Sequence, residues 1–366
     1  MGYSKSDFRI SKHSLKRLAI AMTCLTIGLG EAAAQESPGG DVSSQSTASD
    51  APPITVPLTG ESTIGELLSH PALRTFTTHI LPWANRNYQE DMPLTQIARL
   101  LPYHSDVNLE TVLSGLNRLI ELQQHGAPVF HEIYSEEERA RRSDLDEAGL
   151  FFFPGKPGAP FAIIAPGGGF SYVGSVHEGF PYAMVLAELG FNAFVVTYRT
   201  GQGGQVATQD MARAVDYVMA NSTVLQVATD GYSVWGSSAG ARMAAYIGSH
   251  GPDAFGANTT KRPSTVVMAY TSHRDIGETE PPTYVIVGER DGIAPPSSMQ
   301  PRVTALKKLG TDVAFRVVPD IGHGFGAGTN TPAEGWIREA ASFWQAHLPE
   351  NSHRLLPAHQ NQETSN

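Results

Sequence analysis

The stretch Asp230–Gly251, DGYSVWGSSAGARMAAYIGSHG, passes from an apolar run to a small-residue run of helical character through a pair of serines bracketed by glycine. Gly236, Ser238 and Gly240 give the spacing G-x-S-x-G. In the arrangement attached to that spacing a serine sits on a strained strand-to-helix turn, and its neighbours must be tiny so that the backbone can double back without clashing. Glycine and serine are common residues, so the same letters also fit a plain strand, turn and helix start. The surrounding chain decides between the two.

On both sides of this stretch the chain alternates. GLFFFP and FAIIAP are short apolar runs separated by GKPGA, a hairpin-like break. FPYAMVLAELG then reads as a helix, NAFVVTYR as a buried strand, TQDMARAVDYVMAN as a helix and GYSVW as a strand. Beyond the serines, PSTVVMAY, PTYVIVGERD and DVAFRVVPD read as strands, with helices over PPSSMQPRVTALKKLG and AEGWIREAASFWQAH. Such alternation predicts an α/β fold: a mostly parallel sheet with helices on both faces, here over residues 148–348. A tail, 349–366, follows.

The chain before Gly149 has a different texture. Residues 58–147 read as an all-helical region. Thr63-x-x-Glu66 and Ser135-x-x-Glu138 resemble capping boxes, and Asn108 can cap NLETVLSGLNRLIELQQHG, in which Leu109, Val112, Leu113, Leu116, Leu119 and Ile120 recur at helical spacing up to Gly126. Residues 35–57 lack periodicity and are rich in chain breakers, as in a flexible linker. Residues 1–34 combine Lys12, Lys16 and Arg17, the apolar run LAIAMTCLTIGLG and Ala32-Ala33-Ala34, the pattern of a secretory signal peptide too short to serve as a membrane anchor. The expectation is an exported protein, periplasmic or secreted, with no membrane span after cleavage.

Bulk composition narrows the chemistry. With 41% hydrophobic and 17% charged residues the chain is of the soluble globular class, and its net charge of -10 argues against nucleic acid as a partner. Cys24, the one cysteine, lies within the apolar leader, so cleavage after Ala34 would leave no thiol for a disulfide, a metal site or a cysteine nucleophile.

If Ser238 is a nucleophile in an open α/β sheet, its partners belong in loops directly after strands. Asp291 directly follows TYVIVGER, and His323 lies three residues beyond AFRVVPD. Serine is a weak nucleophile until an imidazole takes its proton, and the imidazole needs a carboxylate to fix its tautomer. Asp275, Asp320, His273 and His177 are rivals that combine chain order and post-strand position less well. Acyl transfer also builds negative charge on a carbonyl oxygen. Pro166-Gly167-Gly168-Gly169 after FAIIA can aim backbone amides at it, and Ala239 supplies the amide after the nucleophile. Gly167–Gly169 fits neither G-x-G-x-x-G nor the phosphate-loop pattern.

PGGGF, YRTG, WGSSAGAR, VGERDGIAP and GHGFG together resemble the α/β-hydrolase superfamily, and more narrowly its carbohydrate-ester esterases of the bifunctional acetylxylan and feruloyl esterase type. The resemblance covers about residues 148–348. It implies an α/β-hydrolase fold with Ser238 as nucleophile, Asp291 as acid, His323 as base, and the amides of Gly168, Gly169 and Ala239 as oxyanion hole. Related lipase-like esterases carry a histidine where Pro166 stands, which leaves that residue's loop-bracing role unassigned. The implied activity is a serine carboxylesterase acting on small acyl or carbohydrate-linked esters, with neither metal nor organic cofactor.

Two other readings compete: a serine peptidase of the prolyl-oligopeptidase kind, and a catalytically silent hydrolase fold used for binding. His177-Glu178-Gly179 either starts the following helix or edges the pocket. Only Thr271–Pro281 separate VVMAY from TYVIVGERD, too few residues for an inserted cap. The helical region therefore either folds over the pocket mouth or packs on the sheet's far side.

Overall fold

A computed structural model describes residues 56–84 and 86–350 of the chain. The expected signal peptide with Cys24, nearly all of the expected linker and the tail beyond Glu350 lie outside the described residues. Numbered from the N terminus, the strands are β1 (Phe130–Glu132), β2 (Gly149–Phe153), β3 (Pro160–Ala165), β4 (Asn192–Thr197), β5 (Ala228–Ser237), β6 (Thr265–Ala269), β7 (Thr283–Gly288) and β8 (Val313–Val318). They form one sheet in the order β1-β2-β4-β3-β5-β6-β7-β8. From β4 to β8 every neighbouring pair is parallel.

Every residue of β3, β4, β6 and β7 is buried, odd and even positions alike, so both faces of the central sheet are covered. The covering helices are α4 (Phe180–Glu188), α5 (Gly204–Ala220), α6 (Ser222–Leu225), α7 (Ala239–His250), α8 (Pro296–Lys308) and α9 (Trp336–Ala346). This is the helix-covered, mostly parallel sheet that the alternating pattern implies, and the α/β-hydrolase architecture that the resemblance implies. No helix interrupts Thr271–Pro281, so the short β6–β7 connection carries no cap.

One local expectation fails. GKPGA does not turn a hairpin: β2 runs antiparallel to β4, with Phe151 opposite Val195, and β3 lies on the other side of β4. The reason lies in where that loop is anchored. Lys156 N donates to Gly190 O and Gly155 N to Asn192 Oδ1, so the loop crosses the start of β4 and delivers β3 to its far edge. A Cβ on Gly155 would fall 2.1 Å from Phe191 O, which is how closely the two backbones pass.

The region before Gly149 is helical except at one place. Its helices are α1 (Ile64–Ser69), α2 (Leu109–Gln124) and α3 (Glu136–Arg141), with 3-10 turns between α1 and α2 and after α3. Both expected capping boxes form, and the Asn108 side chain accepts from Thr111 N. The departure is β1, which pairs antiparallel with β2 and extends the sheet. Three residues are too few to show a strand period. What places them is aromatic packing: the Phe130 ring lies 5.7 Å from Phe76 and 5.0 Å from Phe151.

This region shares its core with the sheet. Ile64, Leu67, Val112, Leu116 and Leu119 belong to the same buried cluster as Phe151, Phe180 and Val195. The junction is tight, since a Cβ on Gly115 of α2 would lie 2.8 Å from Phe180 Cβ of α4. Leu116 is fully buried at that junction, so Leu116→Ala should destabilise by about 2–5 kcal/mol in a denaturant titration. A change within about 0.5 kcal/mol would mean that α2 is only loosely docked.

Candidate active site

The site begins where β5 ends. Its last residue, Ser237, is followed by Ser238 at φ 49 and ψ -112, a backbone state that costs a side-chain-bearing residue about 1–3 kcal/mol, and then by α7. Ser238 N donates to Ala269 O at 2.9 Å, tying the turn to the end of β6. The bracketing glycines have a steric reason. A Cβ on Gly240 would lie 1.9 Å from Ala165 O, and one on Gly236 would lie 2.2 Å from Gly240 O. Only hydrogen fits where the first turn of α7 crosses the ends of β3 and β5.

Three predicted side chains come together here. His323 Nε2 lies 3.0 Å from Ser238 Oγ, and His323 Nδ1 lies 2.7 Å from Asp291 Oδ2. The other carboxylate oxygen, Asp291 Oδ1, accepts from Ile293 N at 2.8 Å and Ala294 N at 2.6 Å. A carboxylate only accepts, so the imidazole proton sits on Nδ1 and the Nε2 lone pair faces the serine hydroxyl. Asp291 is 3% exposed and His323 8%. Their alignment is therefore set by the protein and not by solvent.

The rivals are engaged elsewhere. Asp320 pairs with Arg290 at the surface, and Asp275 with His250. His273 packs its ring on Tyr246. His177 donates through Nε2 to Gly324 O at 2.9 Å, and its pKa is pushed down to about 4 by burial and by the neighbouring His104, which keeps it neutral. Among the described residues no cluster of His, Cys, Asp and Glu could hold a metal ion.

The glycine loop after β3 lies against the serine turn: a Cβ on Gly167 would come within 3.0 Å of Ser238 Cβ. Gly168 at φ 133 and Gly169 at φ 63 reverse the chain, and Gly168 O accepts from Ser171 N and Tyr172 N. Gly167 N is taken by Glu178 Oε2 at 2.6 Å. Among the described residues the amides of Gly168 and Gly169 have no such acceptor, and Ala239 N is one of the unpaired donors that begin a helix. Three amides near the serine turn are thus without a protein acceptor among the described residues.

Other residues brace this arrangement, and Tyr103, His104 and Ser105 among them escaped the sequence reading. His177-Glu178-Gly179 belongs to a fully buried turn, Ser175–Gly179, that grips the glycine loop on one side and the His323 loop on the other. The region before the sheet also reaches the site. Ser105 donates to His323 O twice, from its amide at 3.0 Å and its hydroxyl at 2.7 Å. His104 Nε2 lies 3.0 Å from Glu178 Oε2, and the Tyr103 ring abuts Gly169. This region is not detached from the site. Its Tyr103–Ser105 loop wedges between the glycine loop and the His323 loop. Nothing in the sequence pairs His104 with Glu178, and only their shared proximity in the fold reveals the link.

The BD-FAE family model matches residues 154–265 and the Prolyl oligopeptidase family model matches residues 272–351. An acetylxylan esterase of Xylanibacter ruminicola is 22% identical over 275 residues, covering 66% of this chain and 56% of its own length. The chain thus spans little more than half of that relative. Among solved structures, the acetyl ester-xyloside bifunctional hydrolase of Caldicellulosiruptor lactoaceticus superposes with a TM-score of 0.52 at 20% identity, over 59% of this chain and 95% of that one. The apo form of Thermogutta terrifontis esterase 2 gives 0.49 at 18% identity, over 58% and 91%. On the shared sheet the chain has the α/β-hydrolase fold, and two family matches run in turn from the loop after β2 to beyond the end of α9.

Proposed function

We propose that this protein is a serine carboxylesterase working through an acyl-enzyme. The observation that carries the reading is the hydrogen-bonded line from Asp291 through His323 to a serine held on a strained turn. Ser238 Oγ attacks the ester carbonyl carbon while His323 Nε2 takes its proton, and Asp291 stabilises the imidazolium. The carbonyl oxygen becomes an anion that the amides of Gly168, Gly169 and Ala239 receive. The C–O bond to the alcohol then breaks, His323 protonates the leaving alkoxide, and the acyl group stays on Ser238. Water activated by His323 releases the acid and restores the serine.

The substrate class follows from the relatives and the open connection after β6. The name of the Xylanibacter ruminicola relative supports small acyl groups, acetyl above all, on a polysaccharide. A site without an inserted cap leaves room for a polymer. The Prolyl oligopeptidase family match favours a second reading, peptidase activity. Against it, all described strands belong to one sheet, with no propeller among the described residues. The leader, residues 1–34, supports export, and N-terminal sequencing of protein recovered outside the cytoplasm should begin at Gln35; an intact leader there would overturn that step.

With p-nitrophenyl acetate, Ser238→Ala should show no turnover above background, and Asp291→Asn should fall by roughly a thousandfold or more with its fold intact. Asp320→Asn should stay within about twofold of the wild type, as a surface substitution away from the site. An active Ser238→Ala variant would defeat the esterase reading, and a dead Asp320→Asn beside an active Asp291→Asn would reassign the acid. Release of acetate from acetylated xylan, with no cleavage of prolyl peptides, separates esterase from peptidase; the reverse result would favour the peptidase.

A further inference from the structure

The loop that supplies the proposed oxyanion donors is held by a buried carboxylate. Glu178 is wholly buried, and its oxygens take three donors: Gly167 N at 2.6 Å, Tyr270 Oη at 2.7 Å and His104 Nε2 at 3.0 Å. Burial alone would push its pKa up; the His104 imidazole hydrogen-bonded beside it and the Tyr270 hydroxyl outweigh it and hold the carboxyl well below the usual range, so it is ionised. A lone ion here would be costly, and His104, also buried, is its counterpart.

The contacts close on themselves. His104 Nδ1 lies 2.9 Å from Tyr172 Oη, and Tyr172 N donates to Gly168 O. The chain of bonds thus runs from Gly167 to Glu178, His104, Tyr172 and back to Gly168. Glu178 draws the Gly167 amide to itself, a Cβ at Gly167 would sit 2.7 Å from Glu178 Oε2, and the next two amides are left facing elsewhere. Pro166, just before, has no N–H and no side-chain hydrogen bond to offer this loop.

We propose that Glu178 is a positioning residue that acts through the Gly167 amide to aim the Gly168 and Gly169 amides, with His104 as its obligatory partner. This assigns the region before the sheet a role in the reaction: it supplies half of the pair that sets the oxyanion donors. The inference rests on the esterase reading and on those two glycines as donors. Glu178 touches neither Ser238 nor a substrate. It works by geometry, and misplaced donors cost transition-state binding more than ground-state binding.

The test uses Glu178→Gln and His104→Gln in the full chain, with p-nitrophenyl acetate and a trifluoromethyl ketone. The ketone accepts Ser238 Oγ at its carbonyl carbon, its oxygen becomes the anion in the amide pocket, and the serine proton passes to His323. Each variant should lose about 10–100-fold in kcat, with KM within about threefold, and the ketone's inhibition constant should rise by the same factor as kcat falls. A buried carboxylate without its partner should make His104→Gln the poorer of the two, and the double variant should recover part of its loss. Unchanged kcat and ketone inhibition would overturn the proposal, as would a loss of melting temperature with normal kcat per folded molecule. If Glu178→Gln does not fold, His104→Gln decides by the same readouts. An active Ser238→Ala variant would instead defeat the esterase reading itself, whereas a dead Ser238→Ala beside a normal Glu178→Gln would defeat only this inference.

Discussion

The backbone at Ser238 is held at φ 49 because the first turn of α7 passes over the ends of β3 and β5 at a separation that admits no side chain at Gly236 or Gly240. Strain of about 1–3 kcal/mol persists only where its surroundings over-determine it. Here they do: the Ser238 amide is fixed to Ala269 O, and the flanking strands β3 and β6 are wholly buried. The consequence is a serine hydroxyl lifted from the sheet's edge toward His323, with the glycine loop beside it. Each other part of the site is placed relative to that turn.

Around the turn, several buried polar groups are linked to one another. Tyr182 Oη lies 3.0 Å from both Ser237 Oγ and Tyr270 Oη, and Tyr270 donates onward to Glu178. Burial pushes both phenols well above their ordinary pKa, so they remain donors. Such networks stabilise when every member is satisfied and are expensive when one is missing. The loop Tyr103–Ser105 completes this one from outside the sheet, which explains why a region with no catalytic signature shares the hydrolase core. Its helices fix that loop: α2 packs on α4, and α4 begins where the Ser175–Gly179 turn ends.

The sheet and the three side chains that come together at Ser238 were legible in the letters of the chain for separable reasons. Strands such as FAIIA and TYVIVG are buried on both faces and so appear as unbroken apolar runs bounded by Gly and Pro. Ser238, Asp291 and His323 stood out because each follows a strand, and open α/β sheets gather their ligands at those ends. The pairing of β2 with β4 was not legible, since a Gly-Pro break looks the same whether it turns a hairpin or crosses a neighbouring strand. β1 was too short to show a period. The link from His104 to Glu178 spans 74 residues of sequence with no shared motif; it arises from packing, which local pattern does not encode.

The central claim is that Ser238 alone is made nucleophilic by its place on the turn. A direct measurement is the reaction of the protein with diethyl p-nitrophenyl phosphate, followed by intact mass and peptide mapping. A nucleophilic serine displaces p-nitrophenolate and keeps the diethylphosphoryl group on Oγ. The account predicts one phosphoryl group per chain, located on the peptide that contains Ser238 and blocked by competing ester. No adduct, or an adduct on another residue with Ser238 unmodified, would contradict it.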